Sequence, residues 1–443
     1  MRDKAGRQFK RIEQTRLFLS YSEGMRACRR PRLRSGSTVG LKVAKFFIAL
    51  VTLLASFESR ADETKAVLAD FVGREGTHFT LNGKPFFVAG VNNHYLTFGL
   101  PSEVVRVLDD SVAMGATVVR TFVQPVIGSP DGKTKETIWE WRNNASSSDM
   151  GVHGTYLIYW DSSRNAMALN DGPDGMQKLD FVLAEARKRN LKLIIAFLDF
   201  WDYAGGSQQM RAWYGSKDKN TFFFQDERTK RDYKTLVSSI LLRVNTLNGI
   251  AYKDDTTIFA WELMNEPNIE PKSLSSSWIS EMSAYVKSID TNHLVTSGHG
   301  NVESLADIDI PSIDFATWHG YPLFYKWTVD DMDNRIVSYC RAAAKAAKPV
   351  LLEEFGYARS NADQFAAYRQ WIGTIHRDPS CAGWLVWRLV SPQDDLRYPK
   401  DDHEQFDVHN DGGGLWNVLR EGALQMSQKA AALEKINSGG RKP

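Results

Sequence analysis

The chain has 443 residues, enough for one large domain with additions, and its 43% apolar and 24% charged content excludes a disordered or fibrous protein. The formal net charge of +2 hides a split, because residues 1–40 hold eleven Lys/Arg against three acidic residues while residues 62–443 carry −8. A body of that sign offers no basic face for nucleic acid.

The basic segment reads as a leader. Lys42 and Lys45 precede an apolar run at 46–57, and Ser59-Arg60-Ala61 forms a small-x-small cleavage site before Asp62. The run is too short for a bilayer span, which needs about 20 residues. Residues 1–61 are therefore expected to be a basic leader and secretory signal peptide, and residues 62–443 one folded domain. The protein is expected to be secreted, extracellular or periplasmic, with no stable membrane anchor, and monomeric. Beyond Cys28 in the leader, only Cys340 and Cys381 occur. An exported chain can join them in one disulfide or bury them as two thiols, and both readings stay open. No Cys/His spacing suggests zinc. The many aromatic residues, thirteen Trp among them, suit either a large core or a groove that stacks on sugar rings.

After the leader, strand-like and helix-like segments alternate. Residues 78–87 read as a hairpin with an Asn82-Gly83 turn, and 86–91 as a first strand. A helix follows at 101–114, with Pro101 near its start and Gly115 as its stop. Strands are then expected at 117–122, 191–200, 257–265, 294–297, 313–321, 350–355 and 383–389. The helices between and after them are expected at 176–189, 229–247, 278–289, 329–347, 362–376 and 422–436. Eight strands alternating with helices over this length have the rhythm of a single (β/α)8 barrel carrying an N-terminal β-hairpin. A doubly wound sheet is the rival, but no G-x-G-x-x-G follows the first strand. Two long βα loops, 124–175 and 391–421, follow strands and so fall on the face where barrel enzymes keep their sites.

Two strands end in carboxylates. Trp261-Glu262-Leu263-Met264-Asn265-Glu266-Pro267 closes the fourth, and Leu351-Leu352-Glu353-Glu354-Phe355-Gly356 closes the seventh. Glycosidic cleavage needs such a pair: one carboxyl protonates the leaving oxygen and the other attacks the sugar carbon. Alternation sends Glu353 and Glu354 to opposite faces without saying which points inward. Glu262 lies deeper and reads as a buried carboxylate in need of a partner. Arg120, ending the second strand, can pair with either Glu262 or the attacking carboxylate. His319 and Tyr321, two apart, face the same way.

These motifs, with Trp384-Leu385-Val386-Trp387 on the eighth strand, resemble glycoside hydrolase family 5, within the clan of retaining (β/α)8 glycosidases, and most of all its β-mannanase group. The resemblance spans roughly residues 70–435 and implies a TIM barrel that hydrolyses β-1,4 bonds in a mannan-type polysaccharide without a cofactor or metal. It implies Glu266 as general acid/base, protonated at rest, and Glu354 as ionised nucleophile, which leaves Glu353 structural. It gives Arg120, Asn265, His319, Tyr321, Trp387 and Trp201 substrate-binding or supporting places. Asn265 would meet the sugar 2-hydroxyl, Tyr321 the nucleophile, and Trp387 the scissile sugar, while Trp384 packs outward. Asn92 and Tyr95 match the family only loosely.

Two departures stand out. Asn268 occupies a place where mannanases often carry Arg. Ser297-Gly298-His299-Gly300-Asn301 replaces the usual Gly-x-Glu-Gly-Phe and removes a subsite carboxylate. The alternatives are a cellulase-like or exo-acting β-glycosidase of the same family, and a non-catalytic glycan-binding barrel. A Ser/His/Asp hydrolase lacks its G-x-S-x-G elbow here.

Overall fold

The computed structural model describes residues 71–300, 303–400 and 404–439; the leader and its cleavage point lie outside them. Three short antiparallel strands, β1 (Gly73–Glu75), β2 (His78–Leu81) and β3 (Lys84–Phe86), open the domain. Asn82 and Gly83, both at positive φ, make the expected tight turn between β2 and β3. The strand β1 adds a third member to the expected hairpin.

Eight parallel strands follow: β4 (Val88–Asn92), β5 (Val118–Phe122), β8 (Lys192–Ala196), β9 (Ile258–Glu262), β10 (Leu294–Thr296), β11 (Ala316–Gly320), β12 (Val350–Phe355) and β13 (Gly383–Val386). Their ladders run in the order β10-β9-β8-β5-β4-β13-β12-β11. Two bonds close the ring between β10 and β11: Asp314 N–H donates to the Val295 carbonyl and His319 N–H to the Gly300 carbonyl, both at 2.8 Å. The expected (β/α)8 barrel is present.

Among the described residues the outer layer holds α1 (Pro101–Met114), α2 (Met176–Lys188), α5 (Glu227–Leu241), α6 (Lys272–Ile289), α8 (Val329–Ala346), α9 (Gln364–Arg377) and α10 (Gly414–Gly439), with the short α3 (Gly206–Trp213), α4 (Phe222–Gln225) and α7 (Pro322–Tyr325) in loops. Several boundaries differ from expectation: strands expected to reach 200, 265 and 389 end at Ala196, Glu262 and Val386, the helix expected from 278 begins at Lys272, and two helix ends have a clear cause. The helix expected to reach 247 ends at Leu241, because Val244 and Ala251 form a bridge that draws the chain into a turn. The last helix begins at Gly414 instead of 422; Leu415, Trp416 and Leu419 supply an apolar face that outweighs the glycine run. The long loop after β5 contains a hairpin, β6 (Ile158–Asp161) with β7 (Ala166–Leu169), invisible to periodicity because each arm is four residues long. Helices α3 and α4 escaped notice for the same reason.

The barrel interior has two levels. The lower is apolar: Val88, Val118, Ile194, Ala260, Leu294, Phe315, Leu351 and Leu385 form one cluster. Phe79, from β2, plugs it from below, edge-on to Phe259 and Phe315 at 4.8 and 5.2 Å. Two residues further along three strands the interior becomes charged: Val118 leads to Arg120, Ala260 to Glu262 and Leu351 to Glu353. Period-two alternation keeps each pair on the same face. Outside the sheet, Trp384 is buried edge-on to Phe355, outward as expected.

Cys340 on α8 and Cys381 before β13 are joined in a disulfide, which resolves the open cysteine reading. Among the described residues, no helix is long and apolar enough to cross a membrane. The bridge closes a separation of 41 residues, so Cys340→Ala with Cys381→Ala should cost roughly 2–4 kcal/mol of stability. Equilibrium urea unfolding of the two forms, with identical midpoints, would remove the bridge from any account of stability.

Candidate active site

The charged level sits at the C-terminal mouth of the barrel. Arg120 is fully buried and donates in every direction its planar fork allows. Nε and Nη2 bond the two oxygens of Glu262, each at 2.6 Å; Nη1 reaches Asn92 Oδ1 at 3.0 Å and Glu354 Oε1 at 2.5 Å; Nη2 also reaches Asn265 Oδ1 at 2.8 Å. The two alternatives for Arg120 are therefore both realised. Burial works against its charge, but Glu262, Glu353 and Glu354 together raise its pKa still further.

The second oxygen of Glu354 accepts from the Tyr321 hydroxyl at 2.6 Å. Burial and the adjacent carboxylate hold Tyr321 well above the ordinary phenol range, so it remains a donor. Across the mouth, Glu266 Oε1 lies 2.6 Å from His319 Nδ1, and its Oε2 accepts from the Trp201 indole at 2.7 Å. One oxygen of Glu266, one of Glu354 and a ring nitrogen of His319 all lie within 4.8 Å of one another. Such a trio can in principle hold a metal ion. Here Trp201, Tyr321 and Arg120 already donate to the carboxylates.

Backbone geometry fixes Glu266. Its φ of 45° is left-handed, uncommon for a residue with a side chain and costing about 1–3 kcal/mol. Its N–H bonds the Gly298 carbonyl at 2.9 Å, and Asn265 pairs with Leu198 and Phe200 on the neighbouring connection. Gly298 has a φ of 74°, and a Cβ there would collide with the Met264 carbonyl and the Glu262 carboxyl. The segment 297–301 thus carries a glycine at 298 that the close approach requires.

Glu353 and Glu354 do not alternate as expected. The ladder pairs Trp318 with Leu352 and then His319 with Glu354, skipping Glu353. This bulge turns two consecutive carboxyls into the barrel. Glu353 is fully buried, 3.6 Å from Arg120 Nε and 3.5 Å from His319 Nε2. Burial pushes its pKa up, but Arg120 and His319 outweigh that and hold it below the ordinary value.

The expectation of a protonated resting Glu266 also needs correction. Burial favours the neutral acid, but His319 and the Trp201 N–H lower its pKa below the ordinary range. Burial opposes charge on His319 in turn, yet Glu354, Glu266 and Glu353 raise it to about 10. The neighbours thus favour the charged form of both His319 and Glu266.

Of the other anticipated residues, Asn265 has its amide held at both ends, by Arg120 and by Asp199 Oδ1 at 2.9 Å. Trp201 is 38% exposed at the rim. Trp387, half-buried, lies edge-on to Phe122 at 6.3 Å. Asn92 is part of the cluster. Tyr95 is not: it is buried, and its hydroxyl accepts from the Ser391 N–H at 3.1 Å.

The comparisons agree with this architecture. The family model described as GH family 5 beta-mannosidase-like matches residues 173–381. A mannan endo-1,4-beta-mannosidase 1 from Oryza sativa subsp. japonica is 32% identical over 381 residues, covering 73% of this chain and 79% of that protein. Mannan endo-1,4-beta-mannosidase 7 of Arabidopsis thaliana is 30% identical, covering 78% of this chain and 83% of its own. The crystal structure of the endo-1,4-beta-mannanase from Rhizomucor miehei superposes with a TM-score of 0.69 at 28% identity, covering 81% of this chain and 99% of that one. The chain belongs to glycoside hydrolase family 5. It is a glycoside hydrolase of the mannosidase-like group.

One residue of this family 5 site escaped the sequence reading. Asp199 ends the connection after β8, paired with Asn265, and also accepts from the Trp201 N–H at 3.2 Å. The signal was present: a carboxylate at the end of an apolar strand, as at Glu266. Burial raises Asp199 to about 7, since Asn265 and the Trp201 N–H offset it only in part. The unfolded chain releases this proton near pH 4, the folded chain only near 7. Between these values the folded state binds more protons, so Asp199 makes stability fall as pH rises through that window. Asp199→Asn should therefore gain on the parent in urea midpoint from about pH 4 to about pH 7 and level off above. A difference that is flat or opposite in slope would refute the buried, late-titrating carboxyl.

Proposed function

We propose that this glycoside hydrolase cleaves β-1,4-mannosidic bonds within mannan-type polysaccharide by a retaining double displacement. Glu354 is the nucleophile and Glu266 the general acid/base. The carrying observation is the approach of the two carboxyls: oxygens within 4.8 Å suit the roughly 5–5.5 Å carboxyl separation of retaining enzymes and leave no room for an inverting water between them. The names of the relatives from rice, Arabidopsis and Rhizomucor miehei support the mannan assignment.

In this reading Arg120 and Tyr321 each donate to Glu354 and aim it at the anomeric carbon. Glu266 receives its proton from His319, gives it to the leaving oxygen, and takes one back from the water that hydrolyses the glycosyl-enzyme. The Asn265 amide, fixed by Arg120 and Asp199, has a hydrogen left for the sugar 2-hydroxyl. Trp387 and Trp201 line the sugar path. No cofactor enters these steps. The leader pattern supports export, as does the disulfide, a bond suited to oxidising compartments. We propose a secreted monomer, to be checked by N-terminal sequencing and sedimentation.

Glu354→Ala and Glu266→Ala should each lower turnover of manno-oligosaccharides by roughly 10³-fold or more while circular dichroism stays native. NMR of the first product should find the β-anomer. Initial α-anomer, full activity in either variant, or release from cellulose without release from mannan would defeat this reading.

A further inference from the structure

We propose that Glu353 is a positioning residue for the acid/base group: it keeps a hydrogen on Nε2 of His319, so that the hydrogen at Nδ1 is the one exchanged with Glu266. The inference rests on the proposed function and adds a residue to it.

The imidazole is fully buried between carboxyls. Nδ1 faces Glu266 at 2.6 Å and Glu354 at 3.4 Å; Nε2 faces Glu353 at 3.5 Å. Among the described residues neither Nε2 nor the two Glu353 oxygens make a short hydrogen bond, and the groups that act on the Glu353 carboxylate by hydrogen bonding are His319 and the Thr317 hydroxyl. Two buried groups that lack short bonds and face each other are costly apart, and bonds of this kind are often long before substrate tightens the site. The other charged or titratable groups around the ring have commitments elsewhere. Glu262 is bonded twice by Arg120, Glu354 by Arg120 and Tyr321, and Glu266 by Trp201. His299, after β10, adds a second ring whose charge burial disfavours. Glu353 is thus the carboxylate whose position answers to Nε2.

The consequence follows from tautomers. A neutral imidazole carries one hydrogen. If Nδ1 holds it, Nδ1 donates to Glu266, keeps that carboxylate ionised, and leaves no acid for the leaving oxygen. If Nε2 holds it, Nδ1 accepts and Glu266 carries the acid proton. A carboxylate beside Nε2 selects the second form. From the doubly protonated ring, the N–H bond at Nδ1 breaks and an O–H bond forms on Glu266 Oε1. The ring loses its charge, the carboxylate loses its own, and the pair stays neutral overall.

The test uses the full chain and two substrates. Manno-oligosaccharide needs a proton on its leaving group; a 2,4-dinitrophenyl β-mannobioside does not. Glu353→Gln should lose roughly tenfold to a hundredfold in kcat/KM on the oligosaccharide, against at most about threefold on the dinitrophenyl substrate. Its alkaline limb should move to lower pH, because removing the carboxylate weakens the imidazolium. Glu353→Asp should restore part of both effects. Equal losses on the two substrates, or an unmoved limb, would mean a purely structural role and overturn the inference. Should Glu353→Gln not fold, ¹⁵N-histidine NMR of the wild-type chain decides. Nε2 of His319 is expected to stay protonated through the titration, and a neutral ring protonated on Nδ1 overturns the proposal. Glu266→Ala is the control: leaving-group dependence there, without it in Glu353→Gln, defeats this inference alone. A wild-type chain that cleaves neither substrate defeats the functional reading with it.

Discussion

One buried guanidinium organises the mouth of this barrel. The five N–H groups of Arg120 meet Glu262 twice, Glu354, Asn92 and Asn265. Burying such a charge costs several kcal/mol unless its neighbours satisfy it, and a planar fork with fixed directions can be satisfied only if its acceptors are fixed too. The constraint therefore runs both ways. Arg120 ties β4, β5, β9 and β12 together at the level where chemistry takes place. The positions of Glu354 and Asn265 then follow from strands and their ends, not from mobile loops.

That polar level depends on the apolar level below it. Phe79 and the ring of apolar side chains fill the lower barrel beneath the charges. Desolvation then becomes the common term in the electrostatics: it raises Asp199 and opposes charge on His319. Glu262 shows the same balance. Burial pushes it up to about 7, with Arg120 opposing and Glu353 adding repulsion. Two cations, Arg120 and His319, face four carboxyls, those of Glu262, Glu266, Glu353 and Glu354. In such a cluster each charge is set by the others, so removing one carboxyl or one cation alters its neighbours.

The barrel was legible because alternation of apolar runs with 3.6-period helices repeats eight times, and each repeat reinforces the others. Glu266, Glu354, His319, Tyr321 and Arg120 were legible because they end strands, and strand ends converge at one mouth. What escaped had specific causes. That Glu353 and Glu354 both face inward was not legible because period-two reasoning assumes an unbroken ladder, and the bulge at Trp318/His319 breaks it. The hairpin β6–β7 and the helices α3 and α4 are too short to show a period. Asp199 was not legible as a site residue because what marks it, burial beside Asn265, arises only when the ends of β8 and β9 meet. The protonation of Glu266 was misjudged because it depends on the 2.6 Å approach of His319, which no local sequence pattern encodes.

Under the proposed mechanism, that approach reconciles acid catalysis with a lowered Glu266. A retaining acid must hold a proton during the first displacement and lack it during the second. While Glu354 is ionised, its charge favours protons nearby, and His319 stores one within a single hydrogen-bond length of Glu266. Once Glu354 becomes an ester, that charge is gone, and both the ring and Glu266 release protons more readily. A carboxyl with a strongly raised pKa would serve the first step and resist the second. A carboxyl lowered by a neighbouring imidazolium has its proton within reach when needed and gives it up when the nucleophile is capped. On the proposed mechanism, an imidazolium within reach of Glu266 is the arrangement that would let one residue act as acid and then as base.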